Sequence, residues 1–131
     1  MEDNFKFEII RPEKIIYSND IKTVTIPSYE GDMSILKNHI SIIAFLRPGI
    51  VKIEKSDGSV EEFFVQDGTI EFFKNILVLL SSSAKNIKDF LKKDLEILKI
   101  DAEEKLSKEG VTDEERYVLN HKLDAIKGIR V

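Results

Sequence analysis

The sequence contains no cysteine and no tryptophan, and only two of its 131 residues are histidines. Without cysteine the chain cannot form disulfides, thiolate metal sites or a catalytic thiol. Its longest uncharged stretch runs from residue 75 to residue 84, far short of the roughly 20 residues that a membrane-spanning helix needs. The formal net charge of −4 gives no basic footprint for nucleic acid.

The common catalytic and phosphate-binding motifs are also missing. The chain has no G-x-x-x-x-G-K-[ST] or G-x-G-x-x-G cradle and no G-x-S-x-G nucleophile elbow. Its two histidines, His39 and His121, are 82 positions apart, which excludes a helical H-E-x-x-H zinc motif. His39 has the chemistry of a base, but no motif links it to a nucleophile, and packing or an interface role is the simpler interpretation. We therefore expect no catalytic residues, no metal and no cofactor.

The composition changes near residue 85. All three prolines precede this point, whereas the 46 residues after it carry 10 basic and 11 acidic side chains. A dense but balanced charge is typical of solvated helical faces. We therefore predict two domains, residues 1–85 and residues 86–131.

The first part has the pattern of short β-strands. Phe5, Phe7 and Ile9 alternate with charged residues, which is the two-residue period of a half-buried strand. Asp57-Gly58 is a hairpin signal, because the two central residues of the tightest hairpin turns both need a positive φ. Asp67-Gly68 and Lys74-Asn75 separate further apolar runs. Many short strands at this spacing indicate a sandwich or a barrel.

The second part has the pattern of two helices. Apolar residues recur every three or four positions, at Ile87, Leu91, Leu95, Leu98, Ala102 and Leu106. Phe90 and Ile97 widen this stripe, and Gly110 is placed to end the helix. Thr112 and Glu115 have the spacing of a capping box that begins a second helix. The apolar stripes of such a small hairpin must lie on the sandwich, on each other or on another protein.

An ordered set of motifs resembles the epsilon subunit of F-type (rotary) ATP synthases. The motifs are FEIIRPEKIIYS at residues 7–18, VTIPSYEGDMSILKNH at 24–39, LRPGIVKI at 46–53 and DGTIEFFKNILVLL at 67–80. Each is weak alone, but their order and spacing followed by a helical hairpin are specific. The resemblance covers essentially the whole chain. It implies an N-terminal ten-stranded β-sandwich followed by a C-terminal α-helical hairpin.

The resemblance also implies a role for the loop at residues 30–33. In the family the corresponding loop contacts the membrane-embedded c-ring, and another surface of the sandwich contacts the gamma subunit. The interface candidates are therefore Glu30, Gly31, Asp32, Met33 and His39. We expect Gly31 to allow the turn and to present the two acids to water. The usual proline-glycine before the histidine is Lys37-Asn38 here.

The resemblance implies a non-catalytic rotor subunit that joins the gamma shaft to the c-ring during ATP synthesis. The alternative is chiefly regulatory, with C-terminal helices that contact the alpha and beta subunits and inhibit ATP hydrolysis. Some relatives bind ATP through I-D-x-x-R-A. Only Ile100 and Asp101 match here, and Glu104-Lys105 replaces Arg-Ala, so no nucleotide binding is expected. No basic, serine-rich leader precedes Phe5, so we expect a peripheral protein at the cytoplasmic face of a bacterial inner membrane.

Overall fold

The structure, a computed structural model, describes residues 3–130, so the outer ends of both predicted domains lie outside it. Ten strands are followed by two helices, α1 (Lys92–Ser107) and α2 (Asp113–Lys127). The strands are β1 (Phe5–Ile10), β2 (Ile15–Ile21), β3 (Thr23–Ser28), β4 (Gly31–Leu36), β5 (Ile42–Leu46), β6 (Gly49–Glu54), β7 (Val60–Val65), β8 (Gly68–Phe73), β9 (Ile76–Leu80) and β10 (Lys85–Asn86). The last strand lies across the predicted domain division after residue 85.

The strands form two layers. One layer has the order β2–β1–β9–β8–β5, and the other has the order β4–β3–β6–β7–β10. The layers are joined where Ser28 pairs with Leu46. Inward side chains from both layers, among them Phe7, Phe72 and Ile26, make one continuous core. The predicted ten-stranded β-sandwich is confirmed.

Local sequence explains most of the strand boundaries. The predicted alternation in β1 is confirmed, since Phe5, Phe7 and Ile9 are all buried. The tight turn with two residues at positive φ is Lys74-Asn75, at +48° and +62°. The same expectation for Asp57-Gly58 was wrong, because only the glycine has a positive φ. The Asp57 carboxylate instead accepts the Ser59 backbone N–H at 2.8 Å, so a side chain stabilises this turn.

The first helix is shorter than its apolar spacing predicts. Residues 87–89 form a single 3-10 turn, in which the Asn86 side chain accepts the Lys88 backbone N–H at 2.9 Å. Phe90 is extended, so α1 begins only at Lys92. It ends at Ser107, and Gly110 lies in the connecting turn at a φ of +80°. Gly110 thus has the left-handed conformation that was expected of it, but the helix ends earlier, with Lys108 as its C-cap residue.

The second helix begins as predicted. The Thr112 side chain accepts the Glu115 backbone N–H at 3.0 Å, and the Glu115 carboxylate accepts the Thr112 backbone N–H at 3.1 Å. This reciprocal capping box satisfies two backbone donors at the helix start.

The helical hairpin packs on the outer face of the β6–β7 sheet. Phe63 and Val65 of β7 point into the sandwich core. Phe64 lies between them in the strand, so its side chain points outward. It is nevertheless buried, because the hairpin residues cover it. The covering residues are Phe90, Leu95, Ala125, Ile126 and Ile129. The sequence left open whether the apolar stripes of the hairpin lie on the sandwich, on each other or on another protein. These residues pack on the outer face of the sandwich.

Candidate functional site

The predicted contact loop is a tight turn between β3 and β4. Ser28 pairs with Gly31 across the two strands, which leaves Tyr29 and Glu30 as a two-residue turn. The Ser28 hydroxyl donates to the Gly31 carbonyl at 2.5 Å. Gly31 has a φ of +126°, a conformation that side chains rarely tolerate. The Ser28 hydrogen bond and the Gly31 conformation shape the turn, which exposes the Glu30 carboxylate at one end of the sandwich.

Asp32 is also exposed, but its carboxylate has a partner within the protein. Arg47 Nη2 donates to Asp32 Oδ1 at 3.0 Å, and the Arg47 side chain is largely buried. The Arg47 backbone N–H donates to the Pro27 carbonyl at 3.0 Å. Asp32 therefore helps to join the β3–β4 hairpin to the β5–β6 connection, and Glu30 is the acid that remains available to another molecule.

The other two candidates lie elsewhere. Met33 is partly buried and packs against the sandwich core. His39 follows the far end of β4, about 17 Å from the turn at the usual rise of a strand. Its Nδ1 lies 2.7 Å from the Ile40 carbonyl, and its ring meets the buried Phe72 edge-on with centroids 6.0 Å apart. The structure thus brings residues 30–33 together and places His39 at the opposite end.

An exposed apolar face on the outer side of β5, β8 and β9 was not predicted. Cross-strand partners share a face of a sheet, and Phe45 pairs with Thr69, which in turn pairs with Leu80. Phe73 likewise pairs with Ile76. We use the term apolar face for the five large exposed side chains Ile43, Phe45, Phe73, Ile76 and Leu80. Ile43 is 69% exposed and Phe45 is 64% exposed, although both lie within a regular strand.

The sequence did contain a signal for this face. The segments IIAFL and ILVLL are apolar throughout, and GTIEFF ends in two adjacent phenylalanines, whereas a sheet with one solvated face alternates between apolar and polar residues. Ile70, Phe72, Leu77 and Leu79 occupy the core side of β8 and β9. The remaining apolar residues of these strands must therefore point outward.

A groove connects the apolar face to the β3–β4 turn. It has a volume of about 1000 Å³ and is lined by residues from several loops at this end of the sandwich. Phe45 and Leu80 belong both to this groove and to the apolar face, and Tyr29 lines its other side. Glu114, from the first turn of α2, also contributes. The face, the groove and the turn form one continuous surface.

Of the two residues of the partial nucleotide motif, Asp101 has a partner within its own helix, whereas Ile100 is exposed. Lys105 Nζ lies 3.1 Å from Asp101 Oδ2, and this hydrogen bond is the main reason that the pKa of Asp101 is lowered. Lys122 of α2 is buried nearby, and burial lowers its pKa. Within residues 3–130 no group of three or more acidic or histidine side chains is arranged to hold a metal ion. In that same range neither helix has the length and apolar character required to cross a bilayer.

Comparison with known proteins agrees with this architecture. The family model described as "ATP synthase, Delta/Epsilon chain, beta-sandwich domain" matches residues 4–87. The chain is 44% identical to the ATP synthase epsilon chain of Pelagibacter ubique over 97% of this chain and 98% of that protein. The chain belongs to the ATP synthase epsilon chain family. The epsilon chain of Rhizobium etli is 31% identical over 92% of this chain and 89% of that protein.

Solved structures share the epsilon-chain fold at low sequence identity. A chain of the Euglena gracilis mitochondrial ATP synthase assembly of OSCP, F1 and c-ring matches with a TM-score of 0.79 at 16% identity, over 95% of this chain and 80% of that one. A chain from the central stalk and c-ring of the Tetrahymena thermophila mitochondrial ATP synthase matches with a TM-score of 0.60 at 14% identity, over 94% and 93%. The sequence-based resemblance is therefore confirmed at the level of family and fold.

Proposed function

We propose that the protein is a non-catalytic subunit of the central stalk of a rotary ATP synthase and links the gamma shaft to the membrane c-ring. The observation that carries this proposal is the apolar face on the sandwich. Its five large side chains lie within regular strands and are exposed in the part of the chain that the structure describes. Contiguous exposed apolar patches on a folded domain commonly mark a surface that another protein covers. On the same outer side, Glu71 lies within the face between Ile43 and Val78, and Glu8 lies beside it on β1.

We assign the apolar face to the gamma subunit. A shaft that turns with this subunit needs a lasting contact, and lasting contacts are more apolar than transient ones. The aromatic side chains Phe45 and Phe73 are the residue type that commonly supplies most of the binding energy in such interfaces. This surface therefore suits a permanent partner better than a small ligand.

We assign the β3–β4 turn to the c-ring. Glu30 is the exposed acid at the tip of this turn, and it can accept hydrogen bonds from basic or amide groups on a polar loop. Gly31 and Asp32 hold the turn in place, and Met33 anchors it to the core. We assign His39 to packing at the opposite end, because its ring lies on Phe72. Torque would pass through the sandwich between these two surfaces.

The assigned role involves no covalent chemistry. The protein would act at the cytoplasmic face of a bacterial inner membrane, held there by its partners, and the bacterial sources of the similar epsilon chains support this placement. Residues 1–85 would form the rotor-binding domain, and residues 86–131 would form a separate helical appendage.

Binding to an isolated gamma subunit tests the proposal directly. We expect the purified protein to form a one-to-one complex that survives gel filtration at micromolar concentration, because the contact must persist through rotation. The dissociation constant can be measured by titration calorimetry against the gamma subunit of the same source. Separate elution of both proteins at ten micromolar would contradict the proposed role.

A regulatory role for the hairpin is a second candidate function. On α1, Ile97 and Ile100 are exposed at 65% and 47% and lie one helical turn apart. These side chains are available to the alpha and beta subunits if the hairpin inhibits ATP hydrolysis.

Truncation after Phe90 tests this second role. It leaves Phe90 in contact with Phe64, with ring centroids 5.8 Å apart, so part of the sandwich cover is retained. If the hairpin is inhibitory, the assembled enzyme with the truncated chain should hydrolyse ATP faster than the intact enzyme. An unchanged hydrolysis rate, at equal incorporation of the truncated chain, would leave the hairpin a passive element.

A further inference from the structure

The helix α2 is attached to the β3–β4 turn by a tyrosine. The Tyr117 hydroxyl donates to the Tyr29 main-chain carbonyl at 2.8 Å. The two rings are stacked, with centroids 5.7 Å apart and planes inclined by 15°. These residues are 88 positions apart in sequence, so the contact joins two parts of the chain that fold from separate segments. A directional hydrogen bond and a ring stack thus meet at one turn.

The Tyr117 side chain is held in place from its own helix. The His121 ring lies one turn further along, with its centroid 4.2 Å from that of Tyr117. His121 Nδ1 lies 2.8 Å from the Tyr117 carbonyl, a distance at which it donates a hydrogen bond. The capping box at Thr112 fixes where the helix begins, and therefore where Tyr117 points. Little rotational freedom remains to be lost when Tyr117 meets the turn.

The remaining attachment of α2 to the sandwich lies at its other end. Ala125, Ile126 and Ile129 pack in the cluster around Phe64, and this contact is apolar. Apolar contact is non-directional, so it permits sliding of the helix on the sheet. The Tyr117 hydrogen bond is directional, and its acceptor is the Tyr29 carbonyl in the β3–β4 turn. The two attachments therefore have different consequences for the rest of the protein.

We propose that Tyr117 is a latch that couples docking of the helical hairpin to the conformation of the β3–β4 turn. When the hairpin is docked, the Tyr29 carbonyl is engaged and the turn is held. When the hairpin leaves, the turn loses its outer hydrogen bond and its stacking partner together. By thermodynamic reciprocity, any molecule that holds the turn in its docked shape also favours the docked hairpin. The coupling exists whatever the turn contacts, so it does not depend on the proposed c-ring assignment.

Two substitutions separate the hydrogen bond from the ring stack. Tyr117→Phe removes only the hydroxyl and should raise the undocked-to-docked ratio about 2- to 12-fold, the usual effect of one hydrogen bond. Tyr117→Ala also removes the ring and should raise the ratio further, by about 5- to 150-fold in total. The matched control is Asn120→Ala, because Asn120 is exposed on the same helix.

Docking can be measured in the full-length chain, which has no native cysteine. Cysteines introduced at the exposed positions Ser56 and Glu109 carry spin labels, and electron–electron double resonance then gives the distance distribution between sandwich and hairpin. Hydrogen exchange of a peptide spanning residues 28–33 reports on the turn. Molecules with an undocked hairpin should contribute a second distance to this distribution. We expect the population of that second distance and the exchange rate in the turn to increase together in the order Asn120→Ala, Tyr117→Phe, Tyr117→Ala.

Two results would overturn the latch. If Tyr117→Ala leaves the distance distribution equal to that of Asn120→Ala, Tyr117 does not hold the hairpin. If the hairpin undocks but hydrogen exchange at residues 28–33 stays unchanged, docking of the hairpin and the conformation of the turn are independent. Thermal unfolding of each variant identifies general destabilisation, which would accelerate exchange in β1 and β9 as well as in the turn.

Discussion

Replacement of Gly68 by alanine should destabilise the sandwich by about 3 kcal/mol or more. A Cβ at this position would lie 2.5 Å from the Leu80 carbonyl oxygen and 3.0 Å from Ser81 Cβ. The first contact is with backbone, which cannot move without separating β8 from β9. Gly68 also has a φ of +145°, and a side chain held in such a conformation costs about 1 to 3 kcal/mol by itself. Overpacking adds about 1 to 3 kcal/mol.

Urea unfolding followed by circular dichroism measures this loss, and Gly58→Ala provides the control. Gly58 also has a positive φ, at +87°, but a Cβ there has no neighbour within 4 Å. We expect Gly58→Ala to cost only about 1 kcal/mol, which is the backbone term alone. Equal losses in the two variants would mean that the contact with Leu80 is relieved without cost, contrary to the packing described above. The difference between the variants contains the steric cost at Gly68 together with the difference in backbone strain between the two φ values.

Sandwich formation could be predicted because its signals are local. In β1, alternation alone identified Phe5, Phe7 and Ile9 as core residues, and all three are buried. The hairpin helices were located for the same reason. The predicted buried side of α1 was partly wrong, because the helical spacing of apolar residues was counted from Ile87. Residues 87–89 form a 3-10 turn and Phe90 is extended, so the α-helix does not include them. Leu91 and Ile97 were consequently placed on the buried stripe, whereas both are exposed.

The candidate site was less accessible to sequence reasoning, because its contacts are long-range. Nothing in the local pattern indicates that Arg47 engages Asp32 across 15 positions, or that Tyr117 engages Tyr29 across 88. His39 is close to the turn in sequence but lies beyond the far end of a six-residue strand. Only strand pairing decides which apolar residues of β5, β8 and β9 share a face. Residue type can nominate contact residues, but the topology determines which of them lie together.

Replacement of Phe45 by glutamate should weaken binding to the gamma subunit by about 30-fold or more without weakening the fold. Truncation of an aromatic hot-spot residue in an interface costs about 2 kcal/mol or more, and about 2 kcal/mol corresponds to roughly 30-fold in affinity. A buried carboxylate without a partner adds to that loss. The free protein should be little affected, within about 0.5 kcal/mol, because Phe45 is 64% exposed. Titration calorimetry and urea unfolding measure the two quantities on the same preparation.

Leu36→Glu is the matched control, since it places the same charge on an exposed apolar residue of β4, in the other layer of the sandwich. We expect its affinity for the gamma subunit to stay within threefold of the parent protein, because Leu36 is outside the apolar face. The contrast distinguishes a local contact from a general effect of negative charge on association. If both variants weaken binding equally, charge alone explains the loss. If neither does, the gamma subunit binds elsewhere and the apolar face has another occupant.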